Sequence, residues 1–507
     1  MKKKIYPKEW LEIHPYKQTT ECDYYYTSIA NDIYEILDNI ATIFPSDDEV
    51  RLTSCCLAAW FEDVISQTGI WTTFTAECKR LYNSYLPFYS LDDNYYPDEI
   101  NPEDVRFLLW FYLQQDRDQM ILDPENPGLQ EVADVIFQLF ESEYETAPEN
   151  DQLKDFFSAN HSYNHFSDYR SFLKWFHYDC YLNVYNRQAI QKYDEEILET
   201  DSPEYHPILL YDFHINFCFT GRNCLLAYSS PEWLALILKN HPHADYFKNI
   251  KSKERSYYLF NKEDDRFVYM TDLLEDKPLR IEKASLDKKQ KWEPGESVVL
   301  WSLVYYDNEW WENGMLAIAP LQQASKIIEE LKQGKEKLKR ANQDYQHFMK
   351  VAEGKQFMYF HSKEDLKSFC REKLEDTLDT ISLLANNAPN KPILLTAIPH
   401  KGLAVLFKLL ECIKDPDNPF YDPEKAKKEA LAFYTVPGVC PYEIVYYLKE
   451  CNMLPDAGLE SAKGKEWGQQ FLNEHWDFLT RYFLKQSPEK DLRCCVSNGI
   501  LIEKPAL

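Results

Sequence analysis

Apolar residues in the first half of the chain recur every three or four positions, which is the period of an α-helix. One such stripe runs from Ile29 to Phe44, and Pro45 is predicted to end its helix. Further stripes with the same spacing cover residues 50–65, 108–112, 129–140 and 172–182. We therefore predict an acidic helical domain over residues 1–250.

Local capping signals support two of these helices. Ser46 and Glu49 have the spacing of a capping box, in which each side chain accepts a hydrogen bond from a free backbone amide. That helix is predicted to continue to Gly69. Asn101 followed by Pro102 is a second typical helix start, because proline suits the first turn.

The pattern changes to alternation and short β-rich runs at about residue 251. The runs are Tyr257–Phe260, Phe267–Met270, Val298–Tyr306 and Trp310–Ile318. Asp307-Asn308 separates the last two runs and is predicted to form a tight turn. A lone hairpin buries too little surface to be stable, so we predict a small β-barrel or curled antiparallel sheet over residues 251–320.

A helical pattern returns after Pro320. Ala324, Ile327, Leu331 and Tyr345 belong to a weak heptad seam that reaches Phe348. We predict a third, mainly helical domain over residues 321–507. The fold class is therefore α+β, predominantly helical with a small β module in the middle of the chain.

The net charge of the chain disfavours some classes of binding partner. The chain has 56 Lys and Arg residues against 83 Asp and Glu residues, which gives a net charge of −27. Such a field repels nucleic acid and anionic lipid, so neither is an expected partner. Residues 92–155 are the most acidic stretch and are predicted to form a solvated face, with a docking surface for a basic partner as the alternative.

The chain has no segment that resembles a secretion signal or a membrane helix. Lys2, Lys3 and Lys4 are not followed by an apolar region, and no later segment approaches the roughly 20 apolar residues of a membrane span. We therefore expect a cytoplasmic protein. Its 13 cysteines are expected to be free thiols, and Cys55 and Cys56 are predicted to be buried in a helix.

Common catalytic and cofactor motifs are absent. The sequence contains no GxxxxGK[ST], GxGxxG, GxSxG, HExxH or CxxC. His161 and His165 have the spacing of metal ligands on a helix, with Asp168 as a third group, but their polar surroundings favour a loop. Glu62 and Asp63 are interpreted as surface charge or a local ion pair, because adjacent residues on a helix point to different faces. We predict no cofactor and no metal site.

Aromatic residues of the β module are the candidate binding residues. Trp301, Tyr305, Trp310 and Trp311 crowd a unit that can bury only some of them. Neighbouring residues on a strand face opposite ways, so Trp310 and Trp311 cannot both enter one core. An exposed indole would form part of a peptide or ligand groove. Packing against a helical domain is the favoured alternative.

The N-terminal segment resembles a known family. The motifs are Ile5-Tyr6-Pro7-Lys8-Glu9-Trp10, His14-Pro15-Tyr16 and Asp23-Tyr24-Tyr25-Tyr26, together with the Trp-rich β segment. They are similar to an uncharacterised family of gut Bacteroidetes proteins, classed as a domain of unknown function, over most of the chain. The resemblance implies a bacterial, intracellular setting and carries no activity or catalytic residues.

Two functions are consistent with these observations. The leading hypothesis is a protein-protein interaction protein without catalysis, with contacts at the aromatic β surface or the acidic 92–155 face. The alternative is a hydrolase or transferase whose Asp, Glu, His or Cys residues are dispersed in the sequence and meet in an interdomain cleft. The sequence does not indicate the oligomeric state.

Overall fold

The structure is a computed structural model that confirms the predicted α+β class, with 53% of the residues in helices and 14% in strands. It describes residues 4–503 except 41–42, 92, 116, 118–119, 162, 164, 200–202, 204–205, 287–290, 340, 375–390, 400, 456–464, 488–493 and 498–499. Contacts divide the chain into two compact units. The first contains residues 1–116 and 122–328, and the second contains 117–121 and 329–507.

The first unit begins with helices. They are α1 (Pro7–Trp10), α2 (Glu21–Asp38), α3 (Asp47–Ser66), α4 (Ile70–Tyr82), α5 (Pro102–Gln114), α6 (Pro127–Glu143), α7 (Asp151–Phe157), α8 (Phe166–Tyr178), α9 (Asn186–Leu198), α10 (His206–Thr220), α11 (Ser230–Ile237) and α12 (Ala244–Asn249). None of the described helices of the chain has the length and apolar character needed to cross a membrane.

The start of α3 agrees with the prediction, whereas the ends of α2 and α3 differ from it. Helix α2 ends at Asp38, well before Pro45. Ser46 caps α3 as predicted, because its hydroxyl accepts from the backbone amide of Glu49 at 3.3 Å. Helix α3 ends earlier than predicted, at left-handed Gln67, and Gly69 instead begins α4.

The β module has six described strands between residues 251 and 320. Its strands are β1 (Lys251–Glu263), β2 (Phe267–Asp272), β3 (Lys277–Glu282), β4 (Ser297–Tyr306), β5 (Glu309–Glu312) and β6 (Ala317–Pro320). The sheet order is β1-β2-β3-β5-β4-β6, and pairing of β1 with β4 closes a five-stranded barrel-like sheet. The neighbours are antiparallel except β3 and β5, which are parallel.

The barrel has its own apolar core, which includes buried side chains from β1 to β4. These are Tyr258, Phe260, Val268, Met270, Ile281, Val299, Trp301 and Leu303. Trp292 packs on the same cluster from the loop before β4.

A buried carboxylate joins the barrel to α10. Asp212 accepts hydrogen bonds from the hydroxyl of Ser302 at 3.1 Å and from the backbone amide of Met315 at 3.2 Å. The guanidinium of Arg255 lies 3.7 Å from the same carboxylate. Gly314 approaches Asp212 so closely that a Cβ atom at this position would overlap its Oδ1 atom. The β module and the preceding helices therefore belong to one packed unit.

The second unit has a small antiparallel sheet. Its order is β7 (Phe357–Phe360), β8 (Ile393–Ile398) and β9 (Gly402–Leu406). The remaining elements are α13 (Leu321–Lys339), which starts in the first unit, α14 (Ala341–Val351), α15 (Lys363–Lys373), α16 (Pro423–Glu429), α17 (Ala432–Thr435), α18 (Tyr442–Glu450), α19 (Lys465–Glu474), α20 (Trp476–Leu484), β10 (Cys494–Ser497) and β11 (Ile500–Glu503).

The predicted heptad seam is only partly correct at the start of α13, because Ala324 is buried but Ile327 and Leu331 are exposed. Ala324 and Ile328 are the buried residues, and they pack with Val298 of β4. Ile327 and Leu331 are 48% and 42% exposed. The contact with the β module therefore sets the buried side of this helix. The division into three domains at residues 250 and 320 stays a prediction.

Candidate functional site

The four aromatic residues singled out in the β module lie in different environments. Trp301 has no exposed surface and belongs to the barrel core, where its ring lies 6.1 Å from that of Trp292. It therefore cannot contribute to a surface groove in this structure. Tyr305, Trp310 and Trp311 are partly exposed.

Trp310 and Trp311 pack on different partners. Trp310 contacts the barrel core, and its ring lies 5.2 Å from the ring of Tyr305. Trp311 packs against Phe166 of α8 and against Tyr306, with ring centroids 5.6 and 5.7 Å apart. Its indole also donates to the carbonyl of Tyr306 at 3.0 Å. A helix therefore covers part of Trp311.

A cleft of about 180 Å³ lies beside these residues, where α12 meets the turn after β4. Its lining residues are Asp245, Tyr246, Asn249, Ile250, Tyr305, Tyr306, Asp307 and Asn308. The rings of Tyr246 and Tyr306 lie 5.2 Å apart, and the hydroxyl of Tyr246 donates to Asp307 at 3.3 Å. Of the four predicted binding residues, only Tyr305 lines this cleft. We call this feature the tyrosine cleft.

The tyrosine cleft has a negative charge. Its lining residues include two aspartates and no lysine, arginine or histidine. Burial raises the pKa of Tyr306 to about 12, and partial burial followed by the charge of Asp307 raises the pKa of Tyr246. Both hydroxyls are therefore neutral donors at physiological pH. The carboxylates of Asp245 and Asp307 supply the charge.

A tight turn fixes one wall of the tyrosine cleft. Asp307 and Asn308 have positive φ angles of 48° and 64°, which Asp and Asn tolerate better than most residues. Tyr306 and Glu309 pair directly across this turn. The predicted turn is confirmed, and it presents Asp307 at the mouth of the cleft.

Sequence reasoning missed the other wall. Asp245 and Tyr246 belong to a six-residue helix that follows His241-Pro242-His243, and nothing local connects them with β4. The tertiary fold brings them together with residues about 60 positions later, as the Tyr246 to Asp307 hydrogen bond shows.

The histidine motifs do not form a metal-ligand group in this structure. His161 Nδ1 lies 3.0 Å from a carboxylate oxygen of Asp155. His165 is the cap residue of α8, and Asp168 accepts from its backbone amide at 3.0 Å. His243 contacts the hydroxyl of Tyr169. These side chains therefore have capping and packing roles.

The interpretation of Glu62 and Asp63 as surface charge is wrong. Glu62 has no exposed surface and Asp63 is 2% exposed. Asp63 accepts hydrogen bonds from the backbone amide of Trp71 at 2.8 Å and from the hydroxyl of Tyr181 at 2.7 Å. It therefore provides an acceptor for an amide in the first turn of α4, where the helix itself offers none. Glu62 belongs to a separate buried network.

Cys55 and Cys56 are free, buried thiols of α3, as predicted. Burial raises the pKa of Cys55 to about 12 and raises that of Cys56 well above its usual range. Both therefore stay protonated at neutral pH, which disfavours nucleophilic chemistry.

Comparison with known proteins identifies a family and no activity. The model of the family described as "Protein of unknown function (DUF3843)" matches residues 4–277 and 310–485. Neither a curated protein nor a solved structure matches the chain. Tyr305 and Asp307 fall in the unmatched stretch, whereas Asp245 and Tyr246 fall inside the match. The match covers most of the sequence, and the chain belongs to the DUF3843 family of proteins of unknown function.

Proposed function

We propose that this chain is a protein-protein interaction protein without catalysis, and that a basic side chain of its partner binds in the tyrosine cleft. The observation that carries the proposal is the combination of tyrosine rings and unneutralised carboxylates in one cleft. Asp245 and Asp307 form no ion pair with a described Lys or Arg residue. The setting that we propose is the bacterial cytoplasm, which the N-terminal resemblance implies.

The chemistry of the tyrosine cleft favours a lysine or arginine of a partner protein. A cation is attracted to the face of a tyrosine ring, and this attraction is worth roughly 0.5–2 kcal/mol. A hydrogen bond from that cation to a carboxylate is stronger than one between neutral groups. The net charge of −27 attracts a basic partner at long range and repels nucleic acid.

A capture experiment with a charge-neutral cleft tests the proposal. The tagged full-length chain and the double variant Asp245→Asn/Asp307→Asn would be used to capture proteins from the native host. Asparagine keeps the side-chain size and tolerates the left-handed turn at position 307. We expect at least a tenfold loss of the partner that the wild-type chain captures.

The control makes the same change in charge away from the tyrosine cleft. Glu195 and Glu199 are exposed residues at the end of α9, outside the acidic 92–155 face, so Glu195→Gln/Glu199→Gln should capture the partner as well as the wild type. Equal capture by the cleft variant and the wild type would exclude the tyrosine cleft as the binding site.

A further inference from the structure

Three ionisable side chains converge beneath the N-terminal segment. His14, Asp23 and Glu62 are 2%, 0% and 0% exposed, and they come from the segment after α1, the first turn of α2 and the last part of α3. One ligand atom from each residue lies within 4.8 Å of the other two. They are the only such group of three among the described residues.

Neutral donors hold the two carboxylates in place. Asp23 Oδ1 accepts from the indole of Trp10 at 3.0 Å and from the hydroxyl of Tyr16 at 2.8 Å. Glu62 Oε1 accepts from the amide of Asn150 at 2.8 Å, and the same amide donates to Tyr16 at 2.6 Å. These contacts orient both carboxylates without neutralising their charge.

The buried charges do not balance. In the described part of the chain, neither Asp23 nor Glu62 has a Lys or Arg partner, and His14 is the only basic group paired with Glu62. If both carboxyl groups are ionised, even a protonated imidazole leaves a net charge of −1. An uncompensated buried charge costs several kcal/mol. A divalent cation beside a neutral imidazole would balance both carboxylates.

Hydrogen bonding fixes the orientation of the imidazole. His14 Nδ1 lies 2.9 Å from the backbone carbonyl of Trp10, which only accepts, so Nδ1 carries a hydrogen. His14 Nε2 then faces Glu62 Oε2 at 2.7 Å. A lone pair on Nε2 cannot face a carboxylate oxygen without a cation between them, either a proton or a metal ion. A histidine that ligates a metal commonly donates its other N–H to a backbone carbonyl.

We propose that His14, Asp23 and Glu62 bind one divalent transition-metal ion through Nε2 and one oxygen of each carboxylate. One imidazole and two carboxylates suit Zn²⁺, Mn²⁺ or Fe²⁺. Bond lengths of about 2.0–2.2 Å require ligand atoms roughly 3 to 3.5 Å apart, so small side-chain shifts would complete the site. Because the group is buried, the ion has a structural role. It ties the segment that carries His14 and Asp23 to α3.

Metal content and thermal stability test this site. The full-length chain would be purified without a metal-affinity step, and its metal would be measured by mass spectrometry. We expect about one ion per chain, as for a structural site. A strong chelator should lower the melting temperature, and Zn²⁺ or Mn²⁺ alone should restore it in a saturable way.

Matched variants separate this site from adventitious binding. Glu62→Gln keeps the size of the side chain but removes a charged ligand, so bound metal should fall at least tenfold. Glu12→Gln makes the same change at an exposed position two residues from His14 and should keep its metal. If Glu62→Gln does not fold, Asp23→Asn provides the same comparison.

Two results would overturn the proposal. The first is that the wild-type protein, after refolding with Zn²⁺, Mn²⁺ or Fe²⁺, binds less than about 0.1 metal ion per chain and that a chelator does not change its melting temperature. A proton would then bridge His14 and Glu62. The other is a folded Glu62→Gln or Asp23→Asn variant that binds as much metal as the wild type, which would place the ion elsewhere.

Discussion

At the scale of single residues, Asp104 is a buried acid within the most acidic stretch of the chain. It has no exposed surface and accepts hydrogen bonds from the hydroxyl of Tyr95 at 2.8 Å and the amide of Asn101 at 3.0 Å. Burial raises its pKa from 3.8 to about 7, although both hydrogen bonds lower it. The prediction of a solvated acidic face therefore does not hold for this residue.

The raised pKa of Asp104 predicts that it destabilises the protein as pH rises. The unfolded chain releases this proton near pH 4 and the folded chain near pH 7, so the free energy of unfolding falls between these values and then levels off. The contribution is on the order of 4 kcal/mol. This contribution can be measured by denaturant unfolding of the wild type and Asp104→Asn across pH 4–8. The variant has no carboxyl group at position 104, so the change with pH in the difference between the two free energies of unfolding is due to Asp104.

The exposed Asp98→Asn variant is the control and should follow the pH dependence of the wild type. If the difference between Asp104→Asn and the wild type were constant with pH, the buried acid would not titrate in this range.

Buried acids also show what the sequence could not predict at this scale. Glu62 is acidic and adjacent to another acid, and its local pattern is that of a surface charge. Its partners His14 and Asn150 lie 48 and 88 residues away. No spacing rule links such positions, so both the buried network and the wall of the tyrosine cleft from α12 depend on the tertiary fold.

At the scale of elements, Gly314 is required where the β module meets α10. Its φ angle is +109°, and a Cβ atom would overlap Asp212 Oδ1. Gly314→Ala should therefore combine backbone strain of about 1–3 kcal/mol with displacement of a buried carboxylate. We expect a lower free energy of unfolding, measured with denaturant.

Gly295→Ala is the matched comparison for Gly314→Ala. Gly295 also has a positive φ, +76°, but no atom lies within 4 Å of the Cβ position. This variant should lose stability from strain alone, and less than Gly314→Ala. Equal losses would show that the contact with Asp212 contributes nothing.

The β module shows which features of an element are readable from sequence. Strand alternation and the Asp307-Asn308 turn are local signals, and the six described strands of this sheet lie between residues 251 and 320. The pairing of β1 with β4 and the parallel contact of β3 with β5 join distant segments and were not predicted. The seam of α13 was partly misplaced for the same reason, since Val298 decides which side of the helix is buried.

At the scale of the whole molecule, the net charge of −27 is distributed unevenly. Residues 92–155 include Glu99, Glu131, Glu141 and Glu145, all of which are exposed. Exposed like charges repel each other more in the compact state than in the unfolded chain, so this surface reduces stability at low ionic strength. The same negative charges that repel each other within the chain would attract the basic partner that we propose.

Salt should therefore stabilise this protein at neutral pH. Between about 0.01 M and 0.15 M NaCl the Debye length falls from about 30 Å to about 8 Å, which screens the repulsion. The melting temperature should rise with NaCl at pH 7, and this rise should disappear near pH 4.9, the sequence pI.

Variants of the acidic surface provide the control. The rise should be smaller when Glu99, Glu131, Glu141 and Glu145 are all replaced by Gln, and unchanged when they are replaced by Asp, which keeps the charge. A melting temperature that falls with NaCl at pH 7 would instead show that attractive ion pairs outweigh the net repulsion.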